Sequence, residues 1–240
     1  MNRLLVSRLA TLHFPPTEES AGNLAAEGIA GDRVFITGNT GIDAVLQISQ
    51  RLERGDLEVP DRVPVDVSKK MILVTCHRRE NFGGGVQEIC KALLQLSRRD
   101  DVQIIFPVHR NPNVWPIFNA QLSGQPNIVL LAPLDYVAFI DLMRRAHLLL
   151  TDSGGIQEEG PSLGKPILVL REKTERPEAV KAGTVRLVGT DAAKIVAEAT
   201  MLLDNRAAYE GMTRQYNPYG DGRASERIEH ALLHYFSEAR

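Results

Sequence analysis

LLLTDSGGIQEEGPSLGKPILVL, residues 148–170, decides the fold. Residues 148–150 are an apolar run that ends at Thr151 and Asp152. Ser153, Gly154 and Gly155 then turn the chain, residues 156–163 can wind as a helix, and residues 167–170 are apolar again. Strand, Gly-containing turn, helix and strand at this spacing make a unit of a parallel α/β sheet. The first amides of such a helix point outward without intrahelical partners and carry partial positive charge, so the turn suits a phosphate. Glu158 and Glu159 follow within a turn. A carboxylate there repels phosphate but grips the paired hydroxyls of a ribose. The stretch therefore reads as a site for a nucleoside diphosphate.

Working outward, the same alternation continues on both sides. Apolar strands are expected at 71–75, 102–108, 128–131 and 185–188, with helices at 86–96, 112–122, 136–146, 192–203, 206–215 and 224–236. Strands that are apolar throughout, separated by helices, mean a parallel sheet covered on both faces. The expected fold class is thus α/β, a Rossmann-like parallel sheet, with ligands held by the loops that follow the strands. Toward the N-terminus the pattern is less regular. Leu4, Leu5, Leu9 and Leu12 form a helical stripe with no cap before it, and Pro15 and Pro16 break it. Thr17 can cap a second helix, 18–27, that Gly28 ends. A short strand is expected at 34–37, a helix at 42–52, and a charged linker holding Pro60 and Pro64 at 53–69.

Composition narrows the classes. The chain has 240 residues, a formal net charge of −2 and 24% charged residues, which suits a globular protein and argues against a nucleic-acid or membrane-surface binder. No apolar run approaches the ~18 residues of a membrane span. Cys76 and Cys90 make neither a disulfide framework nor a metal site, and a reduced cytosol is the default compartment.

Four loops carry candidate chemistry. HRRENFGGG, 77–85, follows a strand; its His and Arg residues suit phosphate and its glycines allow close backbone approach, although a solvated basic turn has the same composition. Its spacing is neither the dinucleotide fingerprint nor a P-loop. FPVHRNP, 106–112, places a second His-Arg pair, His109 and Arg110, at a second strand end. In PLDYVAF, 133–139, Asp135 reads as an N-cap; Phe139 either stacks on a flat base or packs in the core. REKTERPE, 171–178, follows a strand beside the proposed phosphate turn, with Arg176 before a proline that suits a helix start. NPYGDG, 217–222, reads as a structural turn before the last helix.

Taken together, HRREN-GGG, PVHRNPNV, TDSGGIQEEGPSLGKP, TERPEAV-AGT and NPYGDGRAS resemble the non-hydrolysing UDP-N-acetylglucosamine 2-epimerases, and HFPPTEESAGNLAAEG and the turn at 38–43 resemble them too. The resemblance implies one half of a two-domain glycosyltransferase-B-type fold that interconverts UDP-GlcNAc and UDP-ManNAc by eliminating UDP and adding it back, without metal or other cofactor. It implies that His77 assists departure of the diphosphate and that Ser153, Gly154 and Gly155 bind phosphate. Glu159 would hold the ribose, Leu134 and Phe139 would lie at the uracil, and Arg176 would reach the same site. Arg78 and His109 would belong to a regulatory site for a second UDP-GlcNAc. A homodimer, a cytoplasmic location and a place in cell-envelope polysaccharide synthesis follow from the same resemblance, with neither nucleic acid nor membrane as partner.

The resemblance begins well inside the family's pattern. It implies a C-terminal portion in which residues 1–30 are a remnant of the first domain, 31–69 a connecting strand, helix and linker, 70–216 the UDP-binding domain and 217–240 a C-terminal helix. The carboxylates that the family uses on the C2 proton would lie upstream, and Glu18, Glu19 and Glu80 are no obvious replacement. Weak UDP binding with little or no epimerase activity is the expectation. Two alternatives stay open: a catalytically dead UDP-sugar-binding module, and the nucleotide half of a glycosyltransferase.

Overall fold

The computed structural model describes residues 2–60, 62–78, 81, 83–112, 114–214 and 216–238. They form two compact units, one from residues 1–47 and 217–240, the other from residues 48–216.

The larger unit is a parallel sheet of six strands, β1 (Lys70–Thr75), β2 (Val102–Pro107), β3 (Ile128–Leu131), β4 (Leu148–Thr151), β5 (Ile167–Val169) and β6 (Val185–Leu187), in the order β3-β2-β1-β4-β5-β6. Successive strand side chains point to opposite faces, so each apolar strand feeds two cores. Ile72, Val74, Ile104, Phe106, Leu148, Leu150 and Leu168 pack beneath three helices, α4 (Gly84–Leu96), α5 (Trp115–Leu122) and α9 (Ala192–Asp204). Met71, Leu73, Ile105, Leu149, Ile167 and Val169 are buried on the other face. That side holds α6 (Tyr136–Arg145), α7 (Gly154–Glu159), the 3₁₀ turn Gly160–Leu163 and α8 (Pro177–Lys181). α10 (Arg206–Thr213) follows α9 and stacks Tyr209 on His147, ring centroids 4.3 Å apart. Val63 and Arg62 of the linker are pinned to α6. The Arg62 guanidinium donates to buried Asp141 at 2.8 and 3.0 Å, Arg145 pairs with the same carboxylate at 2.6 Å, and Arg145 also donates to the Val63 carbonyl at 3.1 Å.

The smaller unit holds α1 (Asn2–Leu9), α2 (Glu18–Ala26), the start of α3 (Thr40–Arg54) and α11 (Ala224–Glu238). Thr17 caps α2 as expected, its hydroxyl accepting from Ser20 N–H. Asp43 accepts from the Ala224 and Ser225 amides at 3.0 and 2.6 Å and so caps α11. Gly38 and Gly220 meet so closely that a Cβ on Gly38 would stand 3.3 Å from the Gly220 Cα. The expected leucine stripe forms only as far as Leu9, where α1 ends before Leu12; Leu4, Leu5 and Leu9 are exposed on it.

Three local expectations differ from the structure. Residues 34–37 make no strand; Val34 has only a bridge to His13, because the partner segment runs into Pro15 and Pro16, which cannot donate to a ladder. The helix after Gly155 stops being α-helical at Gly160, since Pro161 lacks an N–H and crowds the preceding turn. α5 begins at Trp115, not at residue 112, with Pro116 in its first turn.

Candidate functional site

In the strand order β3-β2-β1-β4-β5-β6 the winding reverses between β1 and β4, and sheets of this kind hold ligands in the crevice beyond the carboxyl ends of that pair. The two ends are joined by side chains. The hydroxyls of Thr75 and Thr151 lie 2.6 Å apart, and Ser153 N–H donates to Thr151 Oγ1 at 2.9 Å.

Asp152, wholly buried, gathers the loop after β1. Its Oδ2 accepts from the backbone N–H of His77 at 2.9 Å, from that of Arg78 at 2.8 Å and from Asn81 Nδ2 at 3.0 Å. Its Oδ1 lies 3.1 Å from Nδ1 of His77. Burial pushes this carboxyl up, but the bonds from His77 and Arg78 outweigh it and hold the group below the ordinary aspartate value. Asn81 is buried too and donates to the Leu170 carbonyl at 3.3 Å, tying the loop to the end of β5. The Cys76 thiol is pushed well up, by burial first and then by the charge of Asp152, so it is no nucleophile. The His77 and His109 rings stack with centroids 6.3 Å apart, and His109 Nδ1 accepts from Asn111 N–H at 3.1 Å. Arg79, Glu80 and Phe82 lie outside the described residues.

Beside this loop, extended Ser153 leads into α7, and its side chain makes no capping bond. A Cβ built on Gly154 would stand 3.5 Å from Nη2 of Arg176 and 3.7 Å from Nη2 of Arg78. Two guanidiniums from separate loops therefore converge on the backbone at the helix start, and Gly155 next to it is exposed. Buried Gln157 fixes this geometry: its amide donates to the Ser153 carbonyl at 3.1 Å and accepts from Thr174 Oγ1 at 2.6 Å. Thr174 Oγ1 in turn accepts from Arg176 N–H at 3.1 Å. Arg176 Nε donates to the Glu158 carboxylate, and Nη1 donates to the Glu175 carbonyl at 3.1 Å. Arg171, buried, grips Glu175 with both Nη atoms at 2.7 and 2.9 Å and holds that carboxyl down to about 2.

Glu159 closes the far end of α7. Tyr136 OH donates to its Oε1 at 3.0 Å. Burial pushes the Glu159 carboxyl up; the Tyr136 bond opposes that and the charge of Glu158 adds to it. Leu134, in the loop after β3, and Phe139, in the first turn of α6, are both half-buried. Phe139 shares a helix face with Tyr136, the donor to Glu159. Beside Asn81 lies a cavity of about 290 Å³ lined by Arg171, Glu172, Lys173 and Thr190.

His77, Arg78 and His109 thus stand together, as do Ser153, Gly154 and Arg176, with Glu159 further along the same helix. Sequence reasoning passed over Asp152, Asn81, Gln157, Thr174 and Tyr136. One signal was available: an Asp ending a strand that is otherwise apolar has to be satisfied by its neighbours. Among the described residues no three His, Cys, Asp or Glu side chains are grouped so as to hold a metal ion, and no helix is long and apolar enough to cross a membrane.

The family described as UDP-N-acetylglucosamine 2-epimerase matches residues 1–233. A probable UDP-N-acetylglucosamine 2-epimerase of Ralstonia solanacearum is 52% identical over 99% of this chain and 64% of its own length. The UDP-N-acetylglucosamine 2-epimerase of Escherichia coli K12 is 53% identical over 96% of this chain and 63% of its own. The crystal structure of the Neisseria meningitidis UDP-GlcNAc 2-epimerase bound to UDP-GlcNAc superposes with a TM-score of 0.89 at 44% identity, over 97% of this chain and 64% of that one. The chain spans less than two thirds of the length of the relatives it matches.

Proposed function

Since the chain belongs to the UDP-N-acetylglucosamine 2-epimerase family, we propose that its parallel sheet holds the UDP of a UDP-sugar at the crevice between β1 and β4 and serves the interconversion of UDP-GlcNAc and UDP-ManNAc. One observation carries this reading: Arg78 and Arg176 reach from different loops to the Gly154 backbone, where a diphosphate meets both guanidiniums and the first amides of α7. In this reading Ser153, Gly154 and Gly155 bind the phosphates and Arg176 neutralises them. Glu159 uses the oxygen that Tyr136 leaves open to accept from the ribose hydroxyls, and Leu134 and Phe139 flank the uracil.

Breaking the anomeric C–O bond puts negative charge on UDP, so donors belong where that charge grows. His77, at the same end of β1, donates to the departing diphosphate and Arg78 shares the load. Addition of UDP back to the glycal runs the same contacts in reverse. Removal of the C2 proton needs a base, and no carboxylate of the described crevice is assigned that role. Arg78 and His109 also supply a cationic and aromatic pair for a second UDP-sugar. Homodimer assembly and a cytoplasmic setting belong to this proposal, and it calls on no cofactor.

Calorimetry with UDP and with UDP-GlcNAc tests it. Saturable heat that disappears in Arg176→Ala supports the reading; a folded chain that gives no heat with either ligand overturns it. The carboxylates of the described crevice are already engaged, Glu158 by Arg176, Glu159 by Tyr136, Glu175 by Arg171 and Asp152 by the loop after β1, which favours a second reading of the same site, a UDP-sugar-binding module without turnover. It is distinguished by UDP binding without formation of UDP-ManNAc.

A further inference from the structure

We infer that Asp152 is a positioning residue that fixes the tautomer of His77, holding the proton on Nδ1 and turning Nε2 outward as the working atom. This rests on the reading that His77 faces the diphosphate, and it adds what decides which ring nitrogen does so.

Asp152 is wholly buried, so both carboxylate oxygens need donors. Oδ2 has three: the His77 and Arg78 amides and the Asn81 side-chain N–H. The Cys76 thiol, a weak donor, meets this carboxylate, and Oδ1 is shut away from solvent with no other N–H donor of the described residues on it. What stands before it is Nδ1 of His77 at 3.1 Å. A bare Nδ1 lone pair would face a carboxylate lone pair at that distance, whereas Nδ1–H supplies the missing donor. In a neutral imidazole a proton on Nδ1 leaves Nε2 as the acceptor; in the cation Nε2–H becomes the outward donor. The ring is 42% exposed, so this outer edge is open to a ligand while the inner one is engaged.

The same geometry says what happens when one oxygen becomes an amide. In Asp152→Asn, three N–H donors claim the single remaining oxygen. The new NH₂ then faces His77 Nδ1 and needs an acceptor there, so the proton moves to Nε2. The loop keeps its three bonds, and the change falls on the ring.

The test is long-range ¹H–¹⁵N correlation of the imidazoles in the ligand-free chain at mildly alkaline pH, with His77 identified by the signals lost in His77→Gln. The expected result is the Nδ1–H pattern in the native chain and the Nε2–H pattern in Asp152→Asn. A native His77 in the Nε2–H form overturns the inference without recourse to any variant. So does a folded Asp152→Asn whose tautomer is unchanged. If UDP gives no heat while the tautomers behave as described, the nucleotide reading fails and the positioning role stands.

Discussion

Gly154→Ala separates binding from folding at the point where the two guanidiniums meet. The added methyl would stand 3.5 Å from Arg176 Nη2, 3.7 Å from its Cζ and 3.7 Å from Arg78 Nη2, all ordinary contact distances. Nothing has to move for the chain to fold, and exchanging a helical glycine for alanine gains up to about 1 kcal/mol. The unfolding midpoint in urea should therefore hold or rise slightly. A diphosphate oxygen, in contrast, must come within about 2.7–2.9 Å of those donors and of the helix amides. The methyl occupies the space it needs. Loss of one charge-assisted hydrogen bond costs about 1.5–3 kcal/mol, which is roughly 10- to 150-fold in Kd. Calorimetry with UDP reads this directly. Gly160→Ala is the control, because its methyl would lie 2.7 Å from Ile167 Cδ1 and 2.8 Å from Leu149 Cδ1, inside the core. It should cost about 1–3 kcal/mol of stability and leave UDP affinity alone. A Gly154→Ala chain that binds UDP within about threefold of the native one would refute the assignment of phosphate to the start of α7.

Further outcomes follow from the contacts of Glu159 and of Asp141. UDP affinity should fall as pH falls through the range of Glu159, because only the ionised carboxylate accepts from both ribose hydroxyls; burial raises that carboxyl, so the loss begins above the usual carboxylate range. Tyr136→Phe removes a donor that favours the ionised form, and should move the loss to still higher pH in a calorimetric pH series; an unmoved profile would separate Glu159 from the ribose. Asp141→Ala should cost about 3–5 kcal/mol in urea unfolding, because it strands the Arg145 guanidinium. Arg62→Ala, whose side chain is largely exposed, should cost roughly 1 kcal/mol or less; equal costs would show that the linker, not the buried carboxylate, is what matters.

The sheet was legible because each strand is a short apolar run bounded by turn residues, and residues buried on both faces leave no alternation to confuse the reading. The loops that follow β1, β2, β4 and β5 were legible for the same reason, since a parallel sheet puts them at one end. The side-chain wiring was not. Asp152 binds groups 71, 74 and 75 positions away, and nothing in local pattern pairs an aspartate with a particular distant amide. Nothing in the local pattern marked Gln157, whose buried side chain accepts from Thr174, 17 positions on. Residues 34–37 misled because propensity described the segment correctly while its partner accepts from Phe35 and Thr37 but, at Pro15 and Pro16, has no N–H to complete a ladder.

The aspartate at the end of β4 has a bearing on how this sheet can be re-engineered. Its hydrogen bonds make two loops, far apart along the chain, a single graft: transplanting TDSGG into another scaffold without residues 77–81 would bring a buried anion with no donors, and transplanting the basic loop alone would bring a segment with nothing to fold against. Chimeras and shuffled libraries should keep the pair together as one module.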